Sequence, residues 1–329
     1  MINHVRIKNF KSIKYLELDC KRVNIFIGEP NSGKSNIIEG LVGLISAHYY
    51  LNYYPYSKLE YCNRFVRHED LSNLFYDNNI HEKIEISYDS DLTINIYYDS
   101  NSYKININKE IDCGLFYFLK ENYKDHDNIL SILSKFKFYR FLNINEFKIY
   151  PKEFLLPPDG RNLASVIGCY RNLKQLIKDI LDNYGLKMMI DKEEIKLVKD
   201  DDVIVVYPYS VLSDGLKRVI FYYSSILTNK NSIIALEEPE THVFPYYTKQ
   251  LAETIGLYKS NQYFITTHNP YFLLSLIEKT NIKDLGVFLV YYDDYSTKIK
   301  ELTENEIRKL VDNEIDIFFN IDELISDKL

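Results

Sequence analysis

The chain has 329 residues, enough to bury a sizeable core in one elaborated domain or two, and its 46% hydrophobic and 26% charged content is ordinary for a soluble globular protein. A net charge of −7 argues against a surface that grips nucleic acid everywhere, while leaving room for a local basic patch. No apolar run is long enough to span a bilayer, and Met1 to Phe10 lacks a signal-peptide core. Cys20, Cys62, Cys113 and Cys169 are far apart, without paired metal spacing, and read as buried thiols of a reducing compartment. The expectation is a soluble, cytoplasmic protein with no membrane partner.

Alternation in His4 to Phe10 predicts a first strand, and Tyr15 to Leu18 predicts a second. Val23 to Ile27 is a short apolar run of the kind that forms a buried strand. It leads straight into Gly28-x-x-x-x-Gly33-Lys34-Ser35, and Asn36 to Leu41 is helix-compatible. Strand, glycine-rich loop and helix in that order are the context of a phosphate-binding P-loop. Its glycines let successive N–H groups turn inward, and the helix start adds its positive dipole end. Gly28, Asn31, Ser32, Gly33, Lys34, Ser35 and Asn36 are therefore the candidate binding residues for ATP. Lys34 would reach the β- and γ-phosphates, and Ser35 would ligate Mg²⁺.

The run Ile7-Lys8-Asn9-Phe10-Lys11-Ser12-Ile13, followed by a strand and then the P-loop, resembles the opening of the RecF, SMC and OLD-like ATPases of the ABC class. The resemblance implies an α/β fold, an ABC-type ATPase head with a parallel P-loop sheet core, an antiparallel β meander and a helical lobe. The whole chain, 1–329, is then one head. Residues 45–150 are expected to be inserted antiparallel strands and helices. Lys83 to Ser87, Leu92 to Tyr97 and Tyr103 to Ile107 alternate, with turn chemistry between them. Leu115 to Lys137 reads as helical, and Phe138 to Phe147 as strand-like. Residues 151–210 are expected to form a helical lobe, with a helical stripe over Tyr170 to Tyr184 and a hairpin flanking Lys199 to Asp202.

Three distant motifs follow the P-loop in the order expected of such a head. Leu212-Ser213-Asp214-Gly215 before an apolar helix resembles the ABC signature, although a plain Ser/Asp helix cap has the same local form. In the resembled heads Ser213 and Gly215 would contact the γ-phosphate held by a second subunit. Ser232 to Leu236 is a buried strand ending in Glu237 and Glu238, two carboxylates delivered to a strand's C-terminal edge, as in a Walker B element. Glu237 would hold Mg²⁺ through water, in a place where aspartate is commoner, and Glu238 would polarise the attacking water. Tyr263 to Thr267 is a strand ending in His268, which resembles the switch histidine that touches the γ-phosphate. The catalytic candidates are thus Glu238 and His268, and the metal candidates Ser35 and Glu237.

Heads of this class usually carry a glutamine between P-loop and signature. The only one here, Gln175, lies inside a helical stripe close to the signature, and His68-Glu69-Asp70 offers no assignable substitute. Only 61 residues follow His268, near the lower size limit of about 50 for a domain, so a built-in Toprim nuclease is not expected. Asp293-Asp294 reads as a hairpin turn between Val287 to Tyr292 and Thr297 to Lys300, and 301–329 as an acidic, mostly helical tail. The first reading is an ATPase head that pairs with itself on ATP and drives a separate effector protein, with nucleic acid as a candidate partner and phage defence or nucleic-acid processing as the setting. An OLD-type nuclease and a transporter ATPase subunit are the alternatives.

Overall fold

A computed structural model describes residues 1–53, 58–116, 126–148, 153–312 and 324–325. The N-terminal part runs β1 (His4–Phe10), β2 (Ile13–Asp19), β3 (Val23–Ile27), α1 (Lys34–Ile38), a π-helical turn (Glu39–Gly43), α2 (Leu44–Tyr53) and α3 (Lys58–Phe65). Next come β4 (Ile84–Tyr88), β5 (Leu92–Asp99), β6 (Ser102–Ile107), β7 (Ile111–Gly114), α4 (Asp127–Leu133) and β8 (Phe136–Tyr139). The middle holds α5 (Leu163–Cys169), α6 (Arg171–Asp182), β9 (Lys187–Asp191), β10 (Glu194–Asp200), β11 (Ile204–Pro208) and α7 (Asp214–Leu227). The last part runs β12 (Ile233–Glu237), α8 (Pro245–Leu257), β13 (Gln262–Thr266), α9 (Pro270–Lys279), β14 (Leu285–Asp293), β15 (Ser296–Glu301) and α10 (Glu304–Val311).

Among the described residues the strands form three sheets. The central one has the order β15-β14-β3-β13-β12-β8, parallel except for the antiparallel edge strand β15. It lies between two apolar cores. Val23, Ile25 and Ile27 point into the core shared with α5, α7, α8 and α9, while Phe26 points into the other, against α1 and α2. A strand buried on both faces has no solvent side, which is why β3 is apolar apart from Asn24, whose buried amide donates to the Lys21 and Tyr263 carbonyls.

The second sheet, β2-β1-β4-β5-β6-β7, is antiparallel throughout and caps the P-loop helices. Its inward faces (Ile84, Ile86, Ile94, Ile96, Ile105, Ile107) join Leu41, Ile45 and Phe65 in one core, and the outward residues are partly exposed. The opening strands β1 and β2 thus belong to the same sheet as the meander. The third sheet, β11-β10-β9, packs Ile195 and Leu197 against α6.

Several expectations need correction. Of Phe138 to Phe147 only Phe138 and Tyr139 are strand: pairing with β12 stops at Leu236 and Tyr139, although β12 itself continues to Glu237 beside Thr266. Within Leu115 to Lys137 the described helix is only Asp127–Leu133; Phe136 and Lys137 already belong to β8, and 117–125 fall outside the described residues. The 151–210 region is not a purely helical lobe: the helices α5 and α6 are followed by the three strands β9, β10 and β11. Lys187–Asp191 adds a third strand, partly exposed, whose alternation is too short to stand out in sequence. In the tail, α10 is described and most of 313–329 lies outside the described residues. Cys169 is exposed, at the end of α5, and only the other three cysteines are buried.

Candidate nucleotide-binding and catalytic site

The P-loop is held open by close packing at its two glycines. Gly33 has φ +101°, and a Cβ there would lie 2.0 Å from Thr297 Oγ1. At Gly28 a Cβ would lie 2.0 Å from the Val290 carbonyl oxygen. Both positions therefore require glycine, the first for its backbone as well as for space. Thr297, on β15, donates to the Ser32 carbonyl at 3.0 Å, and its hydroxyl lies 2.7 Å from Ser12 Oγ. Asn36 donates to that same Ser12 hydroxyl at 2.7 Å. Thr297 and Ser12 are thus parts of the site that sequence reasoning did not assign; Ser12 lies in the Ile7 to Ile13 run, but nothing there marks its contact with the P-loop, and nothing in the local sequence marks Thr297.

Lys34 is buried and donates to the carbonyl oxygens of Gly28 at 3.0 Å and Glu29 at 2.6 Å. Burial pushes its pKa down to about 8, with Glu238 and Glu29 acting in the opposite direction, so it keeps most of its charge near neutrality. Ser35 follows in the first turn of α1, partly buried.

Three adjacent parallel strands, β3, β13 and β12, deliver the P-loop, His268 and the Glu237–Glu238 pair to one sheet edge. That is where open α/β sheets bind ligands. Glu238 has φ +42°, held by its N–H donating to Thr266 O at 3.1 Å and Thr266 Oγ1 at 3.2 Å. Its carboxylate lies 3.3 Å from His268 Nε2 and accepts from Thr241 at 3.3 Å. The hydrogen bond from His268 holds the Glu238 carboxyl below the usual range against its partial burial, and Thr241 and Lys34 add to the effect. An ionised carboxylate beside an imidazole can accept or orient a water proton.

Glu240 is a further acid, beyond the catalytic and metal candidates read from the sequence. Buried behind this pair, it accepts from Thr267 Oγ1 at 2.6 Å and from the His268 backbone N–H at 3.2 Å through one oxygen. Among the described residues the other oxygen has no hydrogen-bond partner. Burial pushes its pKa up to about 7, so a proton on the carboxyl is favoured over charge.

Glu237 stands in different company. Arg67 donates to one of its oxygens at 3.0 Å, and Arg140 to the other. Both arginines also pair with Glu39, at 2.9 Å and 2.6 Å, and Lys11 pairs with Glu39 too. Glu39 is fully buried in the π-helical turn. Burial alone would raise its pKa, but Lys11, Arg140 and Arg67 together bring it below the usual range. Three cations thus face two carboxylates, drawn from five separate places in the chain. Gln175, by contrast, bonds only to Asp179 on its own helix, 2.7 Å away. His68 is turned to the Val66 carbonyl and Asp70 caps a short 3₁₀ turn.

The donors available to Mg²⁺ are oxygens only, the Ser35 hydroxyl and the Glu237 carboxylate, which suits a cation that keeps several waters and takes few protein ligands. Each Glu237 oxygen already accepts from a guanidinium, so a metal-bound water approaching this carboxylate meets two arginines on it. Ser213 caps α7 by accepting from Leu216 N at 3.4 Å. A Cβ on Gly215 would lie 2.6 Å from the His242 carbonyl oxygen, so the start of α7 packs tightly on the segment after Glu240. Among the described residues no hydrogen bond joins Ser213 or Gly215 to residues 28–36.

A P-loop on a parallel sheet, capped by an antiparallel sheet, defines an ABC-type, SMC-like P-loop ATPase head. Residues 23–275 match the family described as "AAA domain, putative AbiEii toxin, Type IV TA system", and the chain belongs to that family. It is 24% identical over 376 residues to a Helicobacter pylori protein named "ATP/GTP phosphatase", covering 93% of this chain and 99% of the relative. In structure it is similar to an SMC head bound to the C-winged helix domain of ScpA, with TM-score 0.58 and 14% identity over 92% of this chain and 98% of that one. It is also similar to an SMC head with an extended coiled coil bound to the C-terminal domain of ScpA, derived from Pyrococcus furiosus. That match has TM-score 0.56 and 12% identity, covering 95% of this chain and 99% of the other. At these identities the likeness is one of fold.

Proposed function

We propose that the chain binds Mg-ATP at residues 28–36 and hydrolyses it, that two copies share two composite sites, and that the cycle gates a separate effector. The observation that carries the reading is the Glu238–His268 pair, 3.3 Å apart just beyond the ends of the adjacent strands β12 and β13, beside the P-loop strand, with Lys34 close enough to favour the Glu238 charge. In this reading the loop N–H groups and Lys34 bind the phosphates, Glu238 orients the water and takes its proton, and His268 steadies the γ-phosphate side. Magnesium, held by Ser35 and reached from Glu237 through water, would neutralise developing phosphate charge.

The shared site is supported by where large apolar side chains are exposed. Val211 lies two residues before Ser213, Phe244 two after His242, and Tyr271 three after His268; their exposures are 62%, 69% and 68%. A second copy covering these positions would bring its Ser213 and Gly215 to the phosphates. The toxin–antitoxin term in the family description, together with the H. pylori relative's name, supports an NTPase in a defence setting. Among the described residues no helix is long and apolar enough to cross a membrane, and no cluster of three or more His, Cys, Asp or Glu side chains could hold a metal.

The test combines binding and turnover. At a hundredfold excess over Kd, Mg-ATP should stabilise the wild type by about 2.7 kcal/mol. Lys34→Ala should lose that shift. Glu238→Gln should keep it yet hydrolyse about 10²–10⁴ times more slowly in a single turnover. Wild-type-like hydrolysis by Glu238→Gln would overturn the assignment of the base.

A further inference from the structure

The two arginines on Glu237 are not equivalent. Arg140 has 12% of its side chain exposed, and besides the two carboxylates it donates to the Arg64 carbonyl at 3.1 Å. It is fixed on three sides. Arg67 is 55% exposed, and among the described residues its bonds are to the two carboxylates alone, at 2.9 Å and 3.0 Å. Removing Arg67 from Glu237 would return a guanidinium to water without uncovering a buried charge, since Arg140 stays behind. The cluster carries three positive side chains against two negative ones, so a cation arriving at Glu237 adds to an existing positive excess. The exposed arginine is the member that can relieve it.

We propose that Arg67 is the exchangeable counter-ion of Glu237, holding that carboxylate until a nucleotide-bound divalent cation takes its place. Arg67 is then a positioning residue acting through Glu237, and it links the segment after α3 to the occupancy of the sheet edge. The inference rests on the ATPase reading above. It makes cation and Arg67 competitors, so Arg67 should lower the benefit that a divalent cation brings to nucleotide binding.

The measurement is the affinity for a fluorescent non-hydrolysable ATP analogue in EDTA and in saturating Mn²⁺, with the ratio of the two as readout. Arg67→Ala should enlarge that ratio roughly 1.5-fold to fivefold, as expected for one partly exposed ion pair. Arg67→Lys, which keeps the charge but cannot span both carboxylates, should enlarge it less. In a Glu237→Gln background Arg67→Ala should leave the ratio unmoved. A purely structural Arg67 would weaken both arms equally. An unchanged or smaller ratio in Arg67→Ala, or the same enlargement in the Glu237→Gln background, overturns the exchange. Failure of the wild type to bind the analogue in either arm would instead sink the ATPase reading.

Discussion

At the scale of single residues the site separates its acids by environment. Glu238 stays charged because His268 donates to it, whereas Glu240, two positions on, is buried with one oxygen unpartnered and has its pKa pushed up to about 7. The consequence for stability has a definite sign. The folded chain holds the Glu240 proton at pH values where the unfolded chain, with the ordinary value of 4.5, has lost it. Its contribution is complete below about 4.5 and is lost as pH rises through about 7, by up to an order of 3 kcal/mol. Glu240→Gln should therefore flatten the fall in stability across that window. Urea midpoints of wild type and variant at pH 4.5, 6 and 8 measure it; parallel pH profiles would show that Glu240 is ionised in the fold.

At the scale of elements, the P-loop is only as well formed as the strand that props it. Thr297 belongs to the edge strand β15, which pairs with β14, and β14 pairs directly with the P-loop strand β3. Its hydroxyl joins Ser32 O and Ser12 Oγ while fully buried. Thr297→Val keeps the shape and removes the hydroxyl, leaving buried oxygens short of a partner. The expected cost is about 1–3 kcal/mol. Nucleotide affinity should fall as well, because the loop backbone loses its support. Denaturant unfolding beside nucleotide titration separates the two effects; unaltered affinity would mean that the loop keeps its shape without β15.

At the scale of the molecule, the central sheet is sandwiched between two cores, one shared with the antiparallel sheet and one with α5, α7, α8 and α9. The P-loop lies on one side of this body's sheet edge, and the Ser213 end of α7 is packed on the His242 segment. If two copies complete each other's sites, inactive variants should rescue one another. Lys34→Ala and Ser213→Arg would each be inactive alone. Mixed in equal amounts they should regain about one quarter of wild-type turnover, because half of a random mixture is heterodimer with one intact site of two. Steady-state hydrolysis against mixing ratio reads this directly. No recovery, with both variants folded and exchanging subunits, would rule out shared sites.

What could be read from the chain alone is what is contiguous in it. The strand–loop–helix around Gly28 to Ser35, the acidic end of β12 and the histidine after β13 are each written within about ten residues, and hydrophobic periodicity exposes the strands that carry them. The same locality makes β4, β5 and β6 legible, since each alternates between one buried and one open face. Periodicity failed where an element is short or half exposed, as at β9, and where apolar residues pack in a loop, as after Tyr139. Only the tertiary structure decided which side chains meet: Ser12 with Thr297 behind the P-loop, and Lys11, Glu39, Arg67, Arg140 and Glu237 in one ion-pair cluster. Glu237, Lys11 and Ser12 stand in runs that the sequence marks for other reasons, but no local pattern marks Glu39, Arg67, Arg140 or Thr297, and none marks these pairings. Their partners are set by strand order and by the turn between β1 and β2 reaching β15, and an ion pair depends on distance in space, which no spacing along the chain encodes.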